Sequence, residues 1–423
     1  MEHLRIKTWF SFEKIATFFL CLFVVFVIFP VKFLIFSSNI YHSGEFIPFI
    51  SHYLYGADVF FLLGTLFCGF NLLFNNEHHF DLKNLKFDRN LGFLLMVFVL
   101  FAGISIFFSV NIENSLYAFF RFLEFFLLYI LIILEILPLR WLIATFVGAV
   151  LFSSLIGIFQ FIFQHSLGLK FLGESVVSNT STAVAKLNFL GFKLLRSYGT
   201  FAHPNIFSAY VLIALIFVYF LNKHEFFVKK SFYFVVLGIL FLAFLLTFSK
   251  TTLVALLFLP FFLLRKKFTT RLKIFVFCLL AIVVILAFIS EITTLERLRF
   301  MAISLKLFLN KPFGVGLANF TDEMSQFSFY KLLPWNYQPV HNVFLLALNE
   351  IGFAGCITLI LIFIYGLYES VKRKETISFA LMFVLLIMGL FDHYLFSLYQ
   401  GQFLFWFIMS VVTCIHLQKP QRS

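Results

Sequence analysis

Three stretches set chemically capable side chains at the edges of apolar runs. Residues 196–205, RSYGTFAHPN, gather Arg196, His203 and Asn205 around Pro204. Proline suits the first turn of a helix, where its missing N–H costs nothing. A helix N-terminus beside an arginine makes an anion site, with phosphate the natural ligand. Residues 296–320, ERLRFMAISLKLFLNKPFGVGLANF, open on Arg297 and Arg299; Met301, Leu305 and Phe308 then recur at helical spacing before Pro312. His341 and Asn342 open a third stretch, HNVFLLALNEIGFAG. Histidine titrates near neutrality and suits a general base. Each stretch also has a plainer structural reading: a helix start with a snorkelling arginine, an interfacial helix with cations on its wet side, and a capping histidine.

The elements that must position these groups are membrane helices. The chain has 423 residues, 62% of them hydrophobic and 12% charged, with a mean hydropathy of +1.00. Soluble domains are nearer 45–50% apolar and about 25% charged. The 70 Phe residues carry no individual functional weight. A net charge of +12 could suggest nucleic acid, but Lys and Arg concentrate in short loops between apolar runs, as membrane topology demands. No nucleic-acid partner follows. Cys21, Cys68, Cys278, Cys356 and Cys414 lie inside apolar runs without C-x-x-C spacing, so they suggest neither a metal site nor a disulfide framework.

A span needs about 20 apolar residues. That criterion predicts about twelve helices, near 15–36, 52–74, 91–110, 116–137, 141–163, 204–221, 232–249, 251–264, 274–290, 341–366, 378–396 and 401–417. The expected fold is a single all-α, polytopic membrane domain over residues 1–423. Loop cations place both termini in the cytoplasm. The first apolar run, Ile15 to Phe36, is too long for a signal-peptide core and lacks a small-residue cleavage site, so a retained helix is expected. Two long outer loops follow, 164–203 before the sixth helix and 291–340 between the ninth and tenth. Connections of that length are usually functional or disordered, so the chemistry is expected there.

RSYGTFAHPN resembles the R-x-x-G-T-F-x-H-P-N signature of the O-antigen ligase and polymerase superfamily, the bacterial enzymes that move lipid-linked glycans outside the inner membrane. The arginine-led helix with its Pro and G-x-G turn, and the His341/Asn342 pair, follow in the family's order. The resemblance spans roughly residues 90 to 410. It implies a metal-independent, inverting glycosyltransferase with no cofactor. The donor would be an undecaprenyl-diphosphate-linked glycan, and the acceptor a hydroxyl of a glycolipid or glycan at the outer face of the inner membrane. His341 would be the catalytic base. Arg196, Arg297 and Lys250 would hold the donor diphosphate, and His203, Asn205 and Asn342 would support the site. Lys250, in LTFSKTT, stands where the family usually has arginine, and so lacks the bidentate fork that suits phosphate. Arg299 rivals Arg297, because this chain has one residue between Pro312 and the first glycine where the family has two.

Other polar groups keep open roles. Arg121 and Glu124 are spaced to pair on one helix face, Glu350 lies inside the tenth apolar run, and Asp392 and His393 lie near the outer end of the eleventh. The chain has no nucleotide-binding glycine loop, no H-E-x-x-H and no D-x-D, which disfavours a metal-dependent transferase using nucleotide sugars. Within the enzyme class, ligase and repeat-unit polymerase both fit. The rival of another class is a flippase or other transporter, which places its key polar groups near the bilayer midplane.

Overall fold

A computed structural model describes residues 11–35, 41–42, 45–74, 87–134, 136–181, 184–189, 192–227, 229–263 and 292–414. The expected ninth helix, 274–290, and both termini lie outside the described residues. The described chain is helical, and its sheets are three two-stranded antiparallel ribbons: β1 (Lys32–Ile35) with β4 (His52–Tyr55), β2 (Tyr41–His42) with β3 (Glu45–Phe46), and β5 (Lys186–Phe189) with β6 (Phe192–Leu195). The first helices are α1 (Phe12–Ile28), α2 (Gly56–Phe74), α3 (Arg89–Ile104), α4 (Ile112–Ile133) and α5 (Leu139–Phe163). They are followed by α6 (Pro204–Lys223), α7 (Lys230–Leu246), α8 (Lys250–Leu263), α9 (Ile292–Asn310) and α10 (Phe320–Phe327). The last are α11 (Val343–Glu350), α12 (Gly352–Lys372), α13 (Thr376–Phe391), α14 (Tyr394–Ser397) and α15 (Tyr399–Cys414). Six described helices are long and apolar enough to cross a membrane: α2 to α6 and α12. The chain is thus a helical membrane protein.

The core is built around α15, of which every residue is buried. A helix apolar on all sides belongs inside a bundle. It packs on α4, α13 and α1, with Trp406 edge-on to Phe122 at 5.8 Å between ring centroids.

Four expected helices are shortened or divided. The first apolar run, 15–36, ends as a helix at Ile28, just before Pro30, and continues as strand β1 (Lys32–Ile35). β1 pairs with β4 (His52–Tyr55), so the expected second helix, 52–74, begins only at Gly56. The expected 341–366 helix divides at Gly352, whose φ of +76° suits glycine. A Cβ there would lie 2.6 Å from the Phe313 carbonyl oxygen, because the Pro312–Gly316 turn docks into the break. Val315 N and Gly316 N donate to the carbonyls of Asn349 and Glu350 at 2.8 and 3.0 Å, and Phe353 N donates to that of Pro312 at 3.1 Å. The Glu350 carboxylate accepts from Ala318 N at 2.8 Å and Phe320 N at 3.4 Å, an anchoring role that explains a carboxylate so far inside an apolar run. The expected 378–396 helix stops at Phe391, and the next two residues are Asp392 and His393.

In the first long loop, 164–203, the buried Glu174 accepts from Gln160 Nε2, Leu167 N and Leu169 N, and β5 (Lys186–Phe189) pairs with β6 (Phe192–Leu195). In the second, the face of α9 that packs inward carries Phe300, Ile303 and Leu307, whereas Leu305 is exposed. Of the Met301, Leu305 and Phe308 stripe, Met301 is half-buried against the core and only Leu305 faces away from it. Arg297 shares the inward face with Phe300 and Leu307, three and ten residues on, while Arg299 points away.

Candidate functional site

A cavity of about 920 Å³ opens at one end of the bundle. The first turns of α4 and α6, the β1–β4 ribbon, the head of α9 and the segment between α13 and α15 all supply its wall. It joins two polar clusters. One contains His203, Asn205, Arg297, His341, Asp392 and His393; the other contains Tyr53, Tyr55, Tyr117, Arg121 and Tyr399.

Local structure explains why the first cluster holds its shape. His203 caps α6, its Nδ1 accepting from Asn205 N at 3.1 Å, with Pro204 in the first turn. Nδ1 must be unprotonated to accept. Burial, reinforced by Arg196, pushes the His203 pKa down to about 4 and keeps it so. Asn342 caps α11 by accepting from Leu345 N at 2.9 Å, and its amide donates to the Leu390 carbonyl at 3.0 Å. That pair of bonds ties the start of α11 to the end of α13, which brings His341 against Asp392.

His341 Nδ1 lies 3.5 Å from Asp392 Oδ1, an ion-pair contact without hydrogen-bond geometry, and this buried nitrogen has no hydrogen-bond partner. His393 N donates to the same oxygen at 2.9 Å, and His393 Nδ1 lies 2.6 Å from Ser397 Oγ. Burial opposes charge on Asp392, but the surrounding histidines, His341 first, outweigh it and hold the carboxyl far below its usual range. Burial pushes His393 down to about 3. His393 is thus neutral at physiological pH, as is His203. With Nδ1 of His341 turned toward Asp392, Nε2 is the ring nitrogen left to the cavity.

The two candidate arginines of α9 separate clearly. Arg297 lines the cavity, donates to the Phe391 carbonyl at 3.0 Å and has no carboxylate among the described residues at ion-pair distance. Arg299 sits over the Tyr330 ring, 5.2 Å from its centroid. Arg196 and Lys250 lie outside the cavity lining. Arg196 stands behind it, donating Nε to the Thr247 carbonyl at 2.6 Å and Nη2 to Asn205 Oδ1 at 2.9 Å. Lys250 begins α8.

Sequence reasoning left Asp392, His393 and the whole Arg121 cluster without roles. Arg121 and Glu124 do pair, at 2.8 Å, but Arg121 also grips Asp58, 63 residues away, through both terminal nitrogens at 2.7 and 2.8 Å. Only the polarity of Asp58 inside an apolar run signalled this. His341, Asp392 and His393 each place a possible ligand atom within 4.8 Å of the others, the one such group among the described residues. Arg297 borders it with a fixed cation, and Ser397 engages the second nitrogen of His393. That setting suits proton transfer beside an anion better than a dication.

The chain is a helical membrane protein whose bundle opens at one end into a chamber lined by both apolar and polar side chains. Compared with known proteins, the chain matches no family model and no curated sequence.

Proposed function

We propose that this protein is a membrane glycosyltransferase that moves a glycan from an undecaprenyl-diphosphate donor to an acceptor hydroxyl, in the manner of an O-antigen ligase. One observation carries the reading: an arginine without a carboxylate partner among the described residues and a histidine facing a carboxylate line the same chamber. The resemblance of RSYGTFAHPN and the later motifs to the ligase and polymerase superfamily supplies the substrate class.

In this reading His341 Nε2 takes the proton of the acceptor hydroxyl while that oxygen attacks the anomeric carbon. The bond from that carbon to the diphosphate oxygen breaks, and its electrons leave on undecaprenyl diphosphate. Arg297 stabilises the charge growing there, where a preorganised cation contributes most. Asp392 stabilises the imidazolium and fixes which nitrogen carries the proton. A single displacement inverts the anomeric centre, and no step requires a metal. The basic residues at the opposite helix ends, among them Arg140, Lys223 and Lys372, support an outward-facing chamber; the bacterial inner membrane follows from the resemblance alone. A repeat-unit polymerase would use the same chemistry with a different acceptor.

The test is glycan transfer by purified protein in detergent, where an enzyme works and a flippase leaves no trace. H341A should lose about 10²- to 10⁴-fold in rate, the usual share of general-base catalysis. Transfer at the parental rate by H341A removes the proposed base.

A further inference from the structure

Arg196 heads the most distinctive motif in the chain, yet it does not line the cavity, and two of its bonds run elsewhere. Its Nε is anchored on the Thr247 carbonyl, and its Nη2 reaches Asn205 Oδ1 at 2.9 Å. The other end of that amide, Nδ2, faces Asp392 Oδ2 at 3.4 Å. The opposite oxygen of Asp392, held at 2.9 Å by His393 N, faces His341 Nδ1 at 3.5 Å.

The polarity of this series is fixed by chemistry. A guanidinium only donates and an ionised carboxylate only accepts, so a residue between them must accept on one side and donate on the other. Asparagine does both and adds no charge. Arg196 therefore dictates which way the Asn205 amide points, and the amide dictates how the Asp392 carboxylate is turned. The two longer contacts are of the kind that tighten when substrate closes a site.

We propose that Arg196 and Asn205 are positioning residues for His341, acting through Asp392. Arg196 locks the amide of Asn205; Asn205 holds one carboxylate oxygen of Asp392; the other oxygen then keeps the proton of His341 on Nδ1 and the lone pair of Nε2 toward the cavity. The geometric part stands on contacts alone, and its catalytic consequence rests on the transferase reading.

Two readouts separate these parts. The first needs no substrate: the rate at which diethyl pyrocarbonate modifies His341 at fixed pH in the full chain, followed by peptide mass spectrometry. D392N should slow it, N205A should slow it comparably, and N205A/D392N should be no slower than D392N alone. N205D controls for folding, because it is isosteric and keeps the acceptor for Arg196 while turning an oxygen instead of a donor toward Asp392. It should behave like N205A. Parental reactivity in both Asn205 variants, or effects that multiply with D392N, overturns the proposal.

The second readout is kinetic. R196Q should lower kcat about 10- to 100-fold, the scale of a misplaced catalytic group, leave the donor KM unchanged, and cost nothing more in a D392N background. A raised donor KM that multiplies with D392N overturns it and assigns Arg196 to donor binding. Absence of transfer by the parent chain rejects the transferase reading instead, and His341 reactivity then decides the relay alone.

Discussion

The two arginines that line the chamber have the same chemistry and opposite situations. Arg121 spends Nη1 on Asp58 and Glu124, spends Nη2 on Asp58 and the Tyr53 carbonyl, and lies 5.3 Å from the ring centroids of Tyr55, Tyr117 and Tyr399. Tyr399 adds its hydroxyl to both carboxylates at 3.1 Å. Arg297 has one carbonyl contact and no carboxylate among the described residues. An arginine matched by two carboxylates holds helices together, whereas an unmatched one keeps its charge for a ligand. Residue type alone does not identify an anion site; the compensation around it does.

Removing each arginine should break the protein in a different way. R121A strands Asp58 and Glu124 without their cation, and losing one partner of a buried pair typically costs about 3–5 kcal/mol. The folded yield and the thermal midpoint in detergent should both drop sharply. R297A removes no such partner and should melt near the parent. Equal melting of the two variants would erase the distinction.

A smaller effect comes from the histidines of the Arg297 end. His203 and His393 have folded pKa values of about 4 and about 3, below the ordinary value near 6.5. The unfolded chain therefore binds more protons as pH falls below about 6.5. Their stabilisation is full above that value and is lost progressively toward the folded pKa values. The depressed Asp392 works in the same direction at lower pH. Thermal stability should fall between pH 7.5 and pH 5, and H203N, which keeps a capping acceptor, should lessen the fall. A flat parental profile would contradict this.

Much of the fold was legible because apolar length reports directly on membrane helices. Pro204, His203 and Asn342 were legible as helix starts because capping is local. The breaks were not, since Gly352 and Asp392 interrupt runs whose composition alone favours continuous helix. The break at Gly352 depends on the distant Pro312–Gly316 turn, because a Cβ on Gly352 would meet the Phe313 carbonyl. The choice between Arg297 and Arg299 was hidden for a related reason. Both lie on α9, and only the burial of Phe300 and Leu307 shows which side turns inward. Arg121 and Asp58 meet through tertiary packing, which no local pattern encodes.

The central claim, that Arg297 is the chamber arginine whose charge is left for a ligand, is tested most directly by calorimetric titration of the purified protein with inorganic diphosphate. The parent should bind saturably, and R297A should lose about 10²-fold or more in affinity, the scale of a charge-assisted contact of a few kcal/mol. Binding by R297A equal to that of the parent would contradict the account.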